Sequence, residues 1–200
     1  MPSPAEILEG LSYISQTYRG YALACHLIIF IFLLSLIKFR PTNRLFSSLL
    51  SLPLFSVSIF AWLSGNPFNG TVFLIFAIVL VLFGIRNSKE SVSAGSPWSV
   101  IPGIIIVIFG LIYPHFLEDQ PFISYMYSAP TCLIPCPTLS LVIGLSIIFN
   151  GFRSRKWSVT LLIIGIFYGL FGVFRLGVNL DIFLLFADSV FLITIIKMPE

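Results

Sequence analysis

The chain has 200 residues, 58% of them hydrophobic and only 10% charged, with a net charge of +3. Soluble domains carry about 25% charged residues, so this composition excludes a water-soluble enzyme or ligand-binding domain. The small positive balance reads as orientation information for membrane insertion, not as a nucleic-acid footprint. Three cysteines, Cys25, Cys132 and Cys136, form neither a disulfide framework nor zinc-finger spacing.

The first eighteen residues lack the basic region and apolar core of a secretory signal. "SPAE" at 3–6 reads as a helix start, with Ser3 as cap, Pro4 in the first turn and Glu6 reaching back as a capping box. Ile7, Leu11, Ile14 and Tyr18 recur at helical spacing, which predicts an amphipathic helix over 1–19 lying on a membrane surface. Residues 20–200 then form a single transmembrane helical domain. Seven apolar blocks fall near 20–37, 45–64, 71–85, 98–115, 131–152, 157–174 and 178–196. A span needs about 20 apolar residues, so the expected fold is an all-α polytopic membrane bundle. "NPF" at 66–68 extends the short third block. The breaks are polar: "KFRPTNR" at 38–44, "GNPFNG" at 65–70, "RNSKESVSAGSP" at 86–97, the long "FLEDQPFISYMYSAP" at 116–130, and two tight turns, "RSRK" and "RLG".

With the amino terminus outside, nine basic residues face the cytoplasm (Lys38, Arg40, Arg44, Arg86, Lys89, Arg153, Arg155, Lys156, Lys197), against Arg19 and Arg175 outside. That bias sets topology, and it places the chain in the cytoplasmic (inner) membrane with its carboxyl terminus inside. Trp62, Trp98 and Trp157 all fall at span ends, where amphipathic rings favour the interface. A six-span alternative leaves the last hairpin partly inserted because of Asp181 and Asp188. A central Asp costs about 2.5–3.5 kcal/mol, and the thirteen Leu, Ile, Phe and Val residues of the last block contribute roughly 4–8 kcal/mol in return. Insertion wins.

The fifth block opens on "APTCLIPCPT". Pro135 and Pro137 interrupt helical bonding, and Thr138 is placed to bond the carbonyl of Ile134. Such breaks form ion and substrate sites in transporters, whereas prolines in a first turn are ordinary helix starts. On a helix Cys132 and Cys136 would share a face, an arrangement suited to a soft metal ion. Buried cysteines also act as plain small hydrophobes. The Pro-Cys-Pro core resembles the intramembrane Cys-Pro motifs of heavy-metal pumps, although no ATPase domain accompanies it. "YP" at 113–114, "APT" at 129–131, "PCPT" at 135–138 and Gly144 together resemble a family of small multi-pass membrane proteins known as a domain of unknown function. The family carries an aromatic residue at the position of Cys132 and a second Thr at that of Leu139, so the resemblance implies Cys136 and its prolines but not the cysteine pair. It implies no activity.

Asp188 lies near the middle of the last block, and an intramembrane carboxylate is a functional candidate by default. Counted inward, His26 lies about six residues deep, Cys136 about five, Tyr168 about seven and Asp188 about eight to ten, at 1.5 Å per residue. These groups predict a polar cluster opening outward among spans one, five, six and seven. The alternative is that Asp188 bonds Tyr168 or His26 and only pins helices together. Arg175 and Asp181 read as an interfacial ion pair. "NGT" at 69–71 matches a glycosylation acceptor too close to the membrane to be used. No zincin, P-loop, dinucleotide or nucleophile-elbow motif is present, so no cofactor and no catalytic residue is assigned. The expectation is a small permease or channel-like protein for a proton, soft metal ion or small solute, with the lipid bilayer as partner and no nucleic acid. Its alternatives are a non-catalytic membrane subunit and a thiol-dependent membrane enzyme using Cys136.

Overall fold

A computed structural model describes residues 3–117 and 120–198; Glu118 and Asp119 of the expected 116–130 connection lie outside it. Among the described residues the regular structure is helical, apart from one isolated bridge between Thr42 and Ser91. Helix α1 (Pro4–Thr17) opens on the expected capping box. The Ser3 amide donates to the Glu6 carboxylate at 2.7 Å, and the Glu6 amide donates back to Ser3 Oγ at 3.3 Å. The Ser3 amide above all, with the Ser3 hydroxyl donating to the same oxygen at 3.0 Å, holds the Glu6 carboxyl below the usual glutamate range.

Helix α2 spans Arg19–Lys38, and α3 (Asn43–Leu50) and α4 (Leu52–Leu63) form one kinked rod. The kink falls where Pro53 has no amide to offer the preceding turn. Helix α5 (Pro67–Ile85) starts early, as "NPF" implied, because Asn66 accepts from the Asn69 amide at 3.0 Å. There follow α6 (Pro97–Ile112), a single turn α7 (Tyr125–Ser128), α8 (Pro135–Ile148) and α9 (Arg155–Leu170). A π-helical turn, Phe171–Leu176, extends α9, and a 3₁₀ turn, Asn179–Asp181, leads into α10 (Ile182–Ile196). Five segments are long and apolar enough to cross a membrane: Arg19–Lys38, Asn43–Leu63, Pro67–Ile85, Arg155–Leu176 and Asn179–Ile196; α6 and α8 are apolar but shorter. The outer faces match that reading, since α2 alone exposes Leu27, Ile28, Phe30 and Ile31.

Helix α8 is the axis. Every residue from Pro135 to Ile147 except Cys136 is buried, as befits a helix apolar on all sides. It runs antiparallel to α6, and the two backbones touch because side chains are missing where they cross. A Cβ on Gly110 would stand 2.7 Å from Leu141 N, and one on Gly144 2.9 Å from Val107 N. Close approach at glycine is how helices associate when lipid, not water, is the surrounding solvent.

The connections gather at two ends. At one, Asn43 N donates to Glu90 O at 2.8 Å, Gly95 N to Ile148 O at 2.8 Å, and Asn87 Nδ2 to Phe152 O at 3.2 Å. Arg153 pairs there with Glu90 at 3.1 Å, and Lys197 lies 4.1 Å above the Trp98 ring. The opposite end holds α1, the α4–α5 turn and the segments preceding α8 and α10. Two expectations are corrected. Trp157 is not an interfacial ring but fully buried, its Nε1 3.5 Å from Ser146 Oγ and its ring edge-on to Phe152. The fifth block is α-helical only over Pro135–Ile148, because a left-handed run opening at Asn150 (φ 50°) ends it and a turn precedes it.

Gly110→Val drives a branched side chain into the α8 backbone and is expected to lower stability by about 1–3 kcal/mol, read as a fall in the thermal midpoint in detergent. Gly10→Ala, on α1 with open space around it, is expected to leave that midpoint unchanged or raise it.

Candidate functional site

The segment 129–134 ahead of α8 is not helical, and it is buried throughout. Buried backbone must find partners; the Leu133 and Ile134 amides both donate to Pro130 O at 3.1 Å, and three neighbouring helices tie in the rest. Ser56 Oγ of α4 donates to the Cys132 carbonyl at 2.5 Å, and Thr131 Oγ1 donates to Gly110 O of α6 at 2.6 Å. Thr138 of α8 does double duty: its Oγ1 accepts from the Cys132 amide at 2.8 Å and donates to Ile134 O at 2.7 Å, the bond expected from sequence. Cys132 takes a left-handed conformation with φ 69°, rare for a non-glycine residue. Pro135 and Pro137 stand in the first turn of α8, where a missing amide costs nothing. They start the helix; they do not break it.

That geometry overturns the shared helical face of Cys132 and Cys136. Cys132 turns toward Cys25 of α2, and the two thiols interact. Cys136 instead donates to Asp181 Oδ2 at 3.1 Å, while Tyr113 donates its hydroxyl to Asp181 Oδ1 at 2.7 Å. Asp181 therefore points inward, 2% exposed, and is not the partner of Arg175. The carboxylate fits because the π-helical turn presents Gly172 to it; a Cβ there would overlap Asp181 Oδ2. π-helical turns recur at functional sites.

Cys136, Asp181 and Tyr113 line a cavity of ≈ 20 Å³, room for about one water. Tyr168 lines its far side and donates to Asn69 Oδ1 at 2.9 Å. Asn69 is thus an interior group, which removes it as a glycosylation acceptor. Ile7 and Leu11 of α1 roof the cavity and separate it from an open groove of ≈ 330 Å³ between α1 and the α4–α5 turn. The helix expected to lie on a surface is packed as a cover, its Leu11 and Ile14 buried.

Of the expected cluster, Cys136 and Tyr168 share this cavity; His26 and Asp188 lie elsewhere. Both His26 ring nitrogens face main-chain carbonyls, Nδ1 at Ala22 O and Nε2 at Leu111 O, each at 2.8 Å, so the ring bridges α2 and α6 and a neutral ring donates to one of them. Asp188, two turns along α10 from Asp181, is 3% exposed and neither carboxylate oxygen has a hydrogen-bond partner. It bonds neither Tyr168 nor His26. Its seat is again a glycine of α9, since a Cβ on Gly165 would overlap Asp188 Oδ1. Between the two seats, a Cβ on Gly169 would stand 2.6 Å from Leu185 Cδ2. Gly165, Gly169 and Gly172 thus form a smooth stripe along which α10 lays Asp188, Leu185 and Asp181. Sequence reasoning passed over that stripe and treated Asp181 as a boundary residue. The signal was the run "GIFYGLFG", three small residues at helical spacing.

Comparison with protein-family models, with curated proteins and with solved structures finds no match to this chain.

Thr138→Val removes both bonds of the hydroxyl and leaves the buried Cys132 amide without an acceptor. The expected loss is about 1–3 kcal/mol, measured as a lowered thermal midpoint in detergent, with Thr138→Ser retaining most of the stability.

Proposed function

We propose that the chain is an integral membrane protein of seven spans that carries protons across the cytoplasmic membrane, alone or with a small solute. Its amino terminus is outside and its carboxyl terminus cytoplasmic. Five spans are the long apolar segments; α6 and α8 are the other two. At 1.5 Å per residue they reach only about 24 and 21 Å, against a hydrocarbon core of about 30 Å. Non-helical backbone on either side of α8 makes up the difference, which is permitted because protein rather than lipid surrounds it. Segregation of nine basic residues to one end supports the orientation. The resemblance to the small multi-pass family agrees with this architecture and brings no activity with it.

The observation that carries the transport reading is Asp188, buried in mid-helix without a partner. Ionisable groups placed so in a bilayer are rare and mark proton and ion paths. Asp181 lies about 10 Å along the same face of α10, so two proton-exchanging groups stand in file, the outer one beside a water-sized cavity. A proton suits this geometry better than a soft metal ion. Cys132 and Cys136 serve different partners, and the described residues hold no group of three His, Cys, Asp or Glu side chains able to share an ion.

A second reading has one observation in its favour. The 3.1 Å contact between Cys136 and Asp181 places a thiol beside a carboxylate, the separation thiol-dependent chemistry requires. The two readings separate on one variant, because Cys136→Ala abolishes thiol chemistry and leaves the Asp188 path intact.

Proteoliposomes containing the purified protein and an entrapped pH dye, driven by a potassium diffusion potential, are expected to acidify faster than protein-free vesicles. Asp188→Asn is expected to slow that flux by about a hundredfold, while Ser189→Ala, its exposed neighbour, leaves it unchanged. Wild-type vesicles that hold the gradient as tightly as protein-free ones would overturn the proposal.

A further inference from the structure

We propose that Cys25 and Cys132 are a redox pair that closes reversibly into a disulfide, stapling α2 to the turn ahead of α8. Two independent contacts bring these elements together. The thiols of Cys25 and Cys132 interact directly and belong to one buried cluster. One helical turn earlier on α2, the Tyr21 hydroxyl lies 3.3 Å from Ser56 Oγ, the same hydroxyl that donates to the Cys132 carbonyl at 2.5 Å. The face of α2 carrying Tyr21 and Cys25 is thereby held against residue 132. The left-handed backbone at Cys132, φ 69°, is what takes its side chain off the α8 face and toward α2. Cys136 is kept out of the exchange by its bond to Asp181. The pair is distinct from the arrangement the spacing of Cys132 and Cys136 suggests, and it does not depend on proton transport.

The oxidant is a disulfide-bearing small molecule or protein, acting by thiol–disulfide exchange. Cys25, 9% exposed against 3% for Cys132, meets it first. The Cys25 thiolate attacks one sulfur of the donor disulfide, forming a mixed disulfide and releasing one donor thiolate. The Cys132 thiolate then attacks the Cys25 sulfur, which forms the Cys25–Cys132 bond and releases the second donor thiolate. The two protons lost by the cysteines pass to the two donor thiols. The protein gives up two electrons and the donor disulfide gains them. Closure fixes the turn that carries Pro135 and Cys136, so the oxidised protein holds the floor of the cavity more rigidly than the reduced one.

Full-length protein in detergent is treated with oxidised glutathione, alkylated, digested and mapped by mass spectrometry. The expected result is a cross-linked peptide joining Cys25 to Cys132, with Cys136 alkylated, reversal by dithiothreitol, and a higher thermal midpoint in the oxidised sample. The same cross-link is expected in Cys136→Ala. In Cys25→Ala the cross-link disappears and Cys132 stays free, which tests the pair without touching the turn. A bond between Cys132 and Cys136 would overturn the proposal. So would glutathione adducts on separate cysteines, or three free thiols after exposure that fully oxidises a control dithiol peptide.

Discussion

The architecture depends on satisfying one short length of buried backbone. Residues 129–134 carry peptide groups into the interior without a helix to absorb them. Three hydroxyls tie the segment in: those of Ser56 and Thr138 bond its backbone and that of Thr131 reaches out to Gly110 O of α6, each at 2.5–2.8 Å. Each comes from, or reaches, a different helix, so the turn is also where α4, α6 and α8 are fixed relative to one another. Because α8 starts from that turn, the position of Cys136, and through it the contact with Asp181, is inherited from these bonds. Site and scaffold share one set of interactions.

Glycine plays the complementary role. Along α6 and α8 it lets two backbones touch; along α9 it leaves hollows that carboxylates fill. The same absence of a side chain therefore yields tight packing on one side of α8 and room for polar groups on the other. Asp181 and Asp188 differ in what fills the remaining space. The first is gripped by Tyr113 and Cys136, while the second has no hydrogen-bond partner and sits against the Gly165 backbone. One ties the start of α10 to α6 and α8; the other contributes no such tie.

Local features were legible in the sequence wherever their cause is local. The Ser3–Glu6 box, the Asn66 start of α5 and the Thr138–Ile134 bond all arise within four residues, and all are present. The apolar blocks located the long helices because each is an uninterrupted apolar run bounded by polar or proline-bearing breaks. What could not be read was pairing. Tyr113 meets Asp181 across 68 residues and Tyr168 meets Asn69 across 99, and no periodicity announces either. Trp157 misled because a tryptophan at a span end suits an interface and a core equally well. Cys132 misled more deeply, since nothing about a cysteine signals a positive φ; the turn imposes it from outside.

One further tie has a bearing on how the chain is built. Arg19, at the first residue of α2, donates to Gln120, Ser124 and Ser128 and rests against the Tyr127 ring. Its partners are more than a hundred residues downstream, and those of His26 and Ser56 lie 85 and 76 residues on. Until the loop after α6 has been made, the Arg19 guanidinium has none of these partners, although α2 can already pack on α4 through Tyr21 and Phe60. A chain ending before Gln120 would keep those earlier apolar contacts but leave the head of α2 without its polar latch.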